Sequence, residues 1–409
     1  MEDDARPRGP LSGVRVIDLT AVLMGPSATQ MLGDLGADVI KIETADGDHT
    51  RRIGPGGEDL LGPIYLGLNR NKRSIVLDLK HPSGLAAMKR LLVDADVLAS
   101  NVRPAGLERL GLTWDALTEI NPRLIFVSMV GFSQGGRYAR QPAFDDVIQA
   151  ATGLPTMLSK SIDGVPRYVP LNLADRSVGL YAFGMICAAL YAREQTGRGD
   201  KVEVPMFETM VPYVLGDHFW GEKFVPPRAG FGYPRLTTRE RVPHRTADGF
   251  LCCTIYTDQQ WKSFLELIGH GDWWDTDPRF RGAAMRTMNS DFLNGVIGGE
   301  LTKRTTREWQ ALLDQADIPV FPMHTFDTLL DDPHLGDVGF FYEVDHPKAG
   351  VIRETRVPSE WQEAKLGGYR HAPSLGEHTA EVLAEAGFSQ AEIASLIDCG
   401  AASGSRASG

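Results

Sequence analysis

Short apolar runs alternate with amphipathic segments over the first 130 residues. Runs with the length and β-branched content of buried strands occur at 14–19, 38–42, 74–79, 97–100 and 124–129. Apolar positions spaced three and four residues apart predict helices over 26–35, 83–95 and 114–120. Strands that alternate with helices predict a parallel sheet covered by helices on both faces, which is an α/β fold.

The second half of the chain contains patterned regions on either side of a segment rich in proline and glycine. A long apolar helix is expected over 177–193, followed by a strand over 201–205 and a helix over 207–220. The segment F-V-P-P-R-A-G-F-G-Y-P (224–234) is typical of a linker or an active-site loop. A second compact region is expected over about 240–325.

Charge and cysteine usage narrow the classes of function. The 409 residues include 53 acidic and 42 basic side chains, and the net charge of −11 argues against recognition of a nucleic-acid backbone. The four cysteines have neither C-x-x-C nor disulfide-framework spacing. The polar start MEDDARPRGP resembles no secretory signal, and the uncharged apolar stretch 179–192 is too short to span a bilayer. We therefore expect a cytoplasmic protein.

Two familiar motifs are matched only in part. Glu43 ends the second strand, where nicotinamide-binding folds have an acidic residue, but the turn T-A-V-L-M-G (20–25) lacks G-x-G-x-x-G. We therefore interpret Glu43 as a solvated strand end. The G-x-S-x-G sequence at 131–135 suggests a hydrolase nucleophile elbow, but G-R-Y-A-R-Q-P (136–142) is a poor start for the helix that an elbow requires.

Histidines are absent from the stretch that holds most of the predicted strand ends. None of the ten lies between His81 and His218, and the chain has no H-E-x-x-H and no close His/Cys cluster, so we predict no metal site. Chemistry in this stretch must use carboxylates, amides, hydroxyls or backbone groups. Asp175, in L-N-L-A-D-R-S-V-G (171–179), is interpreted first as an N-cap of the long helix, kept ionised by the helix dipole. An ionised carboxylate that faces a cleft can also attack an activated carbonyl.

Ordered blocks from residue 11 almost to the C-terminus resemble the family III CoA-transferases, which include formyl-CoA transferase, carnitine CoA-transferase and α-methylacyl-CoA racemase. The matching blocks are L-S-G-V-R-V-I-D-L-T (11–20), G-D-L-G-A-D-V-I-K-I-E (33–43), N-R-N-K-R-S-I-V-L-D-L-K (69–80), D-V-L-A-S-N-V-R-P-A-G-L-E-R-L-G (96–111), P-A-F-D-D-V-I-Q-A (142–150), T-G-R-G-D-K-V-E-V (196–204) and P-S-L-G-E-H-T-A-E-V-L (373–383). The resemblance implies a transferase that moves CoA from an acyl-CoA donor to a free carboxylic acid, with no metal and no redox cofactor.

The resemblance also implies roles for individual residues. Asp175 is implied as the nucleophile that attacks the thioester, forming an aspartyl anhydride and then an aspartyl-CoA thioester. Asp145 is implied as a second residue of the catalytic site, which orients loop or CoA groups. The implied CoA contacts are Ala21, Val22, Leu23, Met24, Leu77, Leu79, Lys80, Asn101, Val102, Arg109 and Leu110. Lys80 and Arg109 suit CoA phosphates. Leu23 departs from the formyl-CoA branch, which has Gln there.

The resemblance further implies an interlocked, ring-like homodimer with a Rossmann-like large domain and a smaller α+β domain. Its expected partners are an acyl-CoA, a small carboxylic acid and a second copy of the chain, with no nucleic acid or membrane. The predicted bounds are a disordered tail (1–10), the first part of the large domain (11–220), a linker (221–240), the small domain (241–325), a return linker with the rest of the large domain (326–400) and a disordered tail (401–409).

Three expectations concern the reaction itself. Backbone N–H groups of 131–136 are expected to stabilise oxyanions, and 228–234 is a candidate closing loop. Arg140, Arg167 and Arg176 could bind a second carboxylate, which favours dicarboxylic substrates and succinyl-CoA as the first donor. A racemase needs a His-Asp pair, but that position reads Phe144-Asp145. A non-catalytic acyl-CoA-binding protein is a further alternative.

Overall fold

The computed structural model describes residues 9–57, 60–364, 366 and 368–404. These residues form two compact units. Unit 1 contains the described residues of Met1–Ile148, Leu171–Val211 and Gly339–Gly409, and unit 2 contains Gln149–Pro170 and Pro212–Val338. The units differ from the predicted domains because 149–170 belongs to unit 2, and because the predicted linker 221–240 and the start of the predicted return, 326–338, belong to it as well.

The described strands, in chain order, are β1 (Arg15–Leu19), β2 (Asp38–Glu43), β3 (Lys72–Leu77), β4 (Val97–Ser100), β5 (Ile125–Val130), β6 (Lys201–Pro205), β7 (His244–Arg245), β8 (Phe250–Cys253), β9 (Val320–Pro322), β10 (Phe341–His346), β11 (Gly350–Thr355) and β12 (Ala402–Ser403). The described helices are α1 (Met24–Asp34), α2 (Pro63–Asn69), α3 (Pro82–Leu92), α4 (Pro104–Arg109), α5 (Trp114–Ile120), α6 (Asp145–Ala151), α7 (Leu154–Ser161), α8 (Leu173–Thr196), α9 (Met206–His218), α10 (Pro234–Thr237), α11 (Asp258–Leu267), α12 (Trp273–Thr276), α13 (Ala283–Met288), α14 (Ser290–Leu301), α15 (Thr306–Gln315), α16 (Phe326–Leu330), α17 (Pro333–Asp337), α18 (Thr379–Glu385) and α19 (Gln390–Asp398).

A seven-stranded sheet of order β12-β3-β2-β1-β4-β5-β6 forms the centre of unit 1. All neighbouring strands from β3 to β6 pair in parallel, as the alternation of strands and helices predicts. The chain builds outward from β1 through β2 to β3, and then returns to place β4 on the other side of β1. The carboxyl ends of β1 and β4 therefore border a topological switch point, where open α/β sheets bind ligands.

The C-terminal segment corrects one prediction. Residues 401–409 were expected to be disordered, but β12 pairs antiparallel with β3, with Ala402 opposite Leu77. Ala401 and Ala402 are buried in the core, because their small side chains fit beneath the edge of the sheet. Residues 405–409, and residues 1–8 of the predicted N-terminal tail, lie outside the described residues.

Helices cover both faces of the sheet in unit 1. Side chains such as Ile17, Ile75 and Leu98 pack in one apolar cluster with α3, α4, α5, α18 and α19. On the opposite face α1 packs along α8. Helix α8 is long and apolar enough, by length and composition alone, to cross a membrane. Its buried side chains and its packing on α1 and β5 are those of a core helix.

Ionic side chains are buried on the α1 side of the sheet. Asp18 of β1 accepts from Lys72 Nζ of β3 at 3.0 Å, and both side chains are fully buried. Burial alone would raise the pKa of Asp18, but Lys72 and Lys41 beside it lower the pKa to about 2. The pair therefore stays ionic and bridges strands of the sheet.

Glu43 belongs to the same buried group, so its interpretation as a solvated strand end was wrong. It is 5% exposed, and its two carboxylate oxygens accept from Arg51 Nε at 2.8 Å and Nη2 at 2.6 Å. A carboxylate held in this way is not free to bind a ribose, which removes the remaining support for a dinucleotide site.

Unit 2 has its own small sheet and core. β8 lies between β7 and β9 in an antiparallel sheet. Large apolar side chains of α11, α14 and α15, including Phe264, Leu301 and Trp309, pack with Leu251 of β8. Capping boxes at Thr257 and at Thr305 begin α11 and α15 and satisfy their first backbone N–H groups.

Candidate active site

The loop after β1 is joined to the end of β4 by a reciprocal pair of hydrogen bonds. The backbone N–H of Ala21 donates to Asn101 Oδ1 at 3.0 Å, and Asn101 Nδ2 donates to the carbonyl of Ala21 at 2.7 Å. The structure thus brings two sequence-predicted site residues, far apart in the chain, together at the switch point. The side chain of Asn101 binds the backbone of the loop, so this contact does not depend on which side chains the loop carries.

Val22 has a strained backbone within this loop. Its φ of 71° is in the left-handed region, which is unfavourable for a β-branched residue. The N–H of Val22 points to both carboxylate oxygens of Asp48 at 3.3 Å. Asp48 is fixed by a buried ion pair with Lys41 at 3.0 Å, and Lys41 Nζ also donates to the carbonyl of Thr20 at 2.8 Å. The buried charges therefore hold the loop in its strained shape.

A pocket of about 1180 Å³ in unit 1 lies beside α4. Its lining includes Val102 and Arg109, both predicted as CoA contacts, together with the cations Arg103, Arg140 and Lys201. The carboxylates Glu108 and Glu203 also line it. A pocket of this volume with several cations is suited to an extended anionic ligand.

The other predicted CoA contacts differ in what they offer a ligand. Lys80 is exposed directly after β3. The side chain of Leu77 is 1% exposed, so it offers a ligand only its backbone. Leu79 and Leu110 are partly buried against the core cluster beneath the carboxyl edge of the sheet.

Asp175 lies in the first turn of α8, which corrects its interpretation as the N-cap. The helix begins at Leu173, four residues earlier than expected, and Asn172 occupies the N-cap position. The backbone N–H of Asp175 donates to Asp145 Oδ2 at 2.9 Å. The carboxylate that caps this helix thus comes from Asp145, the first residue of α6, and the carboxylate of Asp175 is not needed for capping.

The ionisation of Asp175 also differs from the expectation. Burial raises the pKa of Asp175, the negative charge of Asp145 raises it further, and Arg176 opposes both, so that the pKa is about 6. The expected stabilisation by the helix N-terminus is outweighed because the carboxylate is desolvated beside another carboxylate. At pH 7 Asp175 is still mostly ionised, and it is more basic than an ordinary aspartate.

Gly179, for which the sequence alone predicts no role, determines how closely α8 approaches α1. A Cβ at this position would lie 2.7 Å from the carbonyl oxygen of Met24 and would also collide with Ser27. Gly179 lies one helical turn beyond Asp175, so its contact with α1 also fixes the position of the first turn of α8. The sequence signal for this helix contact is a glycine placed one helical turn after the candidate nucleophile.

Two backbone donors of the glycine-rich segment after β5 are already used within the protein. The N–H groups of Ser133 and Gln134 donate at 3.0 Å to the carboxylates of Glu208 and Glu203. These donors are occupied, which removes them as the expected oxyanion donors. The next helix, α6, begins only at Asp145, so Ser133 does not lie on a nucleophile elbow either.

The whole chain matches known proteins. The model of CoA-transferase family III matches residues 11–379. The chain belongs to CoA-transferase family III. It is 34% identical to the succinate–glutarate CoA-transferase of Agrobacterium fabrum over 94% of this chain and 98% of that protein. It is also 34% identical to the formyl-CoA:oxalate CoA-transferase of Escherichia coli O157:H7 over 95% of this chain and 98% of that protein.

Solved structures of the family have the same fold. Rv3272 from Mycobacterium tuberculosis, in its orthorhombic form, superposes with a TM-score of 0.77 at 30% identity, over 92% of this chain and 99% of that one. A CAIB/BAIF family protein from Brucella suis superposes with a TM-score of 0.73 at 28% identity, over 93% of this chain and all of that one. The family resemblance and the expectation of a CoA-transferase enzyme are confirmed, and CoA thioesters are co-substrates of this class.

The three arginines that were predicted to bind a second substrate carboxylate lie in different surroundings from one another. Arg176 follows Asp175 in α8 and is exposed. Arg140 lines the pocket beside α4. Arg167 belongs to unit 2 and pairs with Asp163 at 2.6 Å. In the described part of the chain, no group of three or more His, Cys, Asp or Glu side chains is arranged to hold a metal ion.

Replacing Gly179 with Ala is expected to push α8 away from α1 and displace Asp175. We expect transfer activity to fall roughly ten- to a hundredfold and stability to fall by about 1–3 kcal/mol, measured by steady-state assay and urea unfolding. Gly184→Ala is the matched control, because a Cβ at Gly184 meets nothing within 4 Å. An unchanged activity of Gly179→Ala would contradict this role of the helix contact.

The pH dependence of transfer should report the ionisation of Asp175. Protonation removes the nucleophile, so kcat/KM should fall about tenfold per pH unit below a pKa of about 6. Asp145→Asn keeps an acceptor for the N–H of Asp175 but removes the charge, so the acidic limb should move to lower pH. Asp146→Asn, at an exposed neighbouring position, should leave the limb in place. A limb that is the same in Asp145→Asn and the unmodified chain would argue against this electrostatic coupling.

Proposed function

We propose that this family III enzyme transfers CoA between carboxylic acids through a covalent intermediate on Asp175. The observation that carries the proposal is the position of the Asp175 carboxylate in the first turn of α8. It lies beside the buried Asp145, which caps the helix and raises the pKa of Asp175. A carboxylate that is mostly ionised at pH 7 and more basic than usual is a competent nucleophile for a thioester.

The reaction can be written with all atoms accounted for. A carboxylate oxygen of Asp175 attacks the thioester carbonyl carbon, the C–S bond breaks, and an aspartyl acyl anhydride and CoA thiolate form. The thiolate sulfur then attacks the aspartyl carbonyl carbon, and the donor acid leaves as its carboxylate. An acceptor carboxylate oxygen then attacks the aspartyl carbonyl carbon, the C–S bond breaks, and a second anhydride and CoA thiolate form. The thiolate attacks the acceptor carbonyl carbon of this anhydride, which gives the new acyl-CoA and releases the carboxylate of Asp175. The thioester is exchanged, so no ATP is consumed.

Asp145 supports this chemistry as a positioning residue. It binds the backbone N–H of Asp175 and so holds the first turn of α8 while the side chain of Asp175 is acylated and released. The loop after β1 is held by Asn101 and Asp48, and it supplies a rigid backbone for the CoA contacts that we propose at Ala21 and Val22. The anhydride must be kept from water, and 228–234 remains our candidate for the closing segment.

Dicarboxylic acids are the substrates that we favour, with succinyl-CoA as the first donor. Arg176 lies beside Asp175 and could pair with the distal carboxylate of such an acid. The name of the Agrobacterium fabrum relative, and that of the mouse succinyl-CoA:glutarate CoA-transferase at 29% identity, point to the same class of acids. Leu23 lacks the amide that the formyl-CoA branch has at this position, which supports a larger acid.

The alternatives have less support. A racemase would need a second base opposite Asp175. The position before Asp145 is Phe144, whose side chain is 68% exposed and cannot accept or donate a proton. A non-catalytic CoA-binding protein would not need a half-buried carboxylate whose pKa is raised to about 6, which is typical of a catalytic group.

We further propose a homodimer and a cytoplasmic location. Leu180, Tyr181 and Tyr191 of α8 are 48–71% exposed, an apolar surface that a second copy would cover. Light scattering that gives the mass of one chain would contradict the dimer. All four cysteines are free, which suits a reducing compartment.

Asp175→Ala should abolish transfer while CoA still binds, because it removes the nucleophile and keeps the pocket. Hydroxylamine added during turnover of the unmodified enzyme should trap a hydroxamate at Asp175, read by peptide mass spectrometry. Asp146→Ala is the control, because it removes an exposed carboxylate at the position after Asp145. An active Asp175→Ala enzyme, or a hydroxamate at another residue, would exclude this nucleophile.

A panel of donors and acceptors should reveal the class of acid. We expect succinyl-CoA to give a higher kcat/KM than acetyl- or formyl-CoA, with glutarate and succinate as acceptors. Arg176→Gln should lower kcat/KM for dicarboxylic donors by roughly tenfold or more and leave acetyl-CoA nearly unchanged. A preference for monocarboxylic donors would overturn the assignment of the substrate and leave the role of Asp175 standing.

A further inference from the structure

Unit 2 contains a second pocket, of about 350 Å³, to which the proposed reaction steps assign no ligand, although Tyr233 in its lining belongs to the candidate closing segment 228–234. It is built entirely within unit 2, by the end of β8 and by α10, α11, α13 and α14 with the segment before β7. A volume at the lower end of the range for ligand sites fits a small metabolite and excludes a macromolecule.

The wall of this pocket is strongly cationic for a protein of net charge −11. Arg235, Arg241 and Arg286 line it, and no Asp or Glu is among the described residues that do so. Arg286 is held by Asp258 at 2.6 Å and by the carbonyl of Tyr256 at 3.0 Å, so it is fixed and its charge is balanced. Arg235 and Arg241 have no ion pair among the described residues, which leaves two positive charges to attract an anion.

A buried donor in the same wall has no partner. Trp261 is 2% exposed, and its Nε1–H has no hydrogen-bond acceptor in the described part of the chain. Buried indole N–H groups normally find a partner, and the Trp261 ring is part of the lining of this pocket. His244, also in the wall and 6% exposed, has its pKa lowered by burial, although Glu240 opposes this, so it is mainly neutral at pH 7.

We propose that this pocket binds a small organic or inorganic anion with carboxylate or phosphate oxygens. The guanidinium groups of Arg235 and Arg241 pair with its oxygens, and Trp261 Nε1–H donates to one of them. Arginine forks suit both kinds of oxyanion because each presents parallel N–H donors to two oxygens. Binding to this pocket does not require that the proposed transfer mechanism be correct.

The test uses the full chain labelled with 5-fluorotryptophan and ¹⁹F NMR. Trp261→Phe identifies the resonance of Trp261 among the seven tryptophans. Titration with succinate, glutarate or inorganic phosphate should shift this resonance saturably, and neutral succinamide should not. A response to the dicarboxylates alone would identify a carboxylate ligand, and a response to phosphate alone a phosphate ligand.

Variants separate this pocket from general charge effects. Arg241→Gln should weaken the affinity at least tenfold, and Arg239→Gln, an exposed arginine outside the lining, should not change it. Melting temperatures check that both variants fold. No saturable shift with any of the three anions, or equal affinity of Arg241→Gln and the unmodified chain, would overturn the proposal.

Discussion

The candidate active-site edge of this transferase depends on a buried ion pair that holds the loop after β1. Lys41 and Asp48 are paired at 3.0 Å with almost no solvent exposure, and together they bind the carbonyl of Thr20 and the N–H of Val22. Charges without partners at these depths would be costly, so each ion holds its partner in place. The strained backbone of Val22 is kept in this way, and the loop is rigid before any ligand arrives.

In the candidate catalytic centre, charge interactions between buried groups shift the pKa of a carboxylate in the opposite direction. In the buried pairs, opposite charges lower the pKa of Asp18, whereas at α8 burial and the like charge of Asp145 raise the pKa of Asp175. The arrangement persists because Asp145 is bound to the helix N-terminus and is thereby compensated. The carboxylate of Asp145 thus stabilises the helix, and the carboxylate of Asp175 is basic and free of this capping role.

The sequence predicted the bounds of helices and strands best where the local pattern of apolar residues decides them. The predicted bounds of β4, α5 and β6 match the structure, because their apolar patterns are local properties of the sequence. The start of α8 was placed four residues late, since its cap comes from a carboxylate 30 residues earlier in the chain. Glu43 and the tail at 401–404 were misjudged because their partners, Arg51 and β3, are not marked by any local pattern.

By itself the sequence determined the class of fold, the family and Asp175 as the candidate nucleophile, because periodicity and ordered motifs are properties of the chain. Only the tertiary structure decided that Asp145 caps α8, that Gly179 lets α8 reach α1, and that the N–H groups of Ser133 and Gln134 are already occupied. It also revealed the cationic pocket of unit 2. These features depend on distances between segments remote in sequence, and on desolvation, which exists only once the chain is packed.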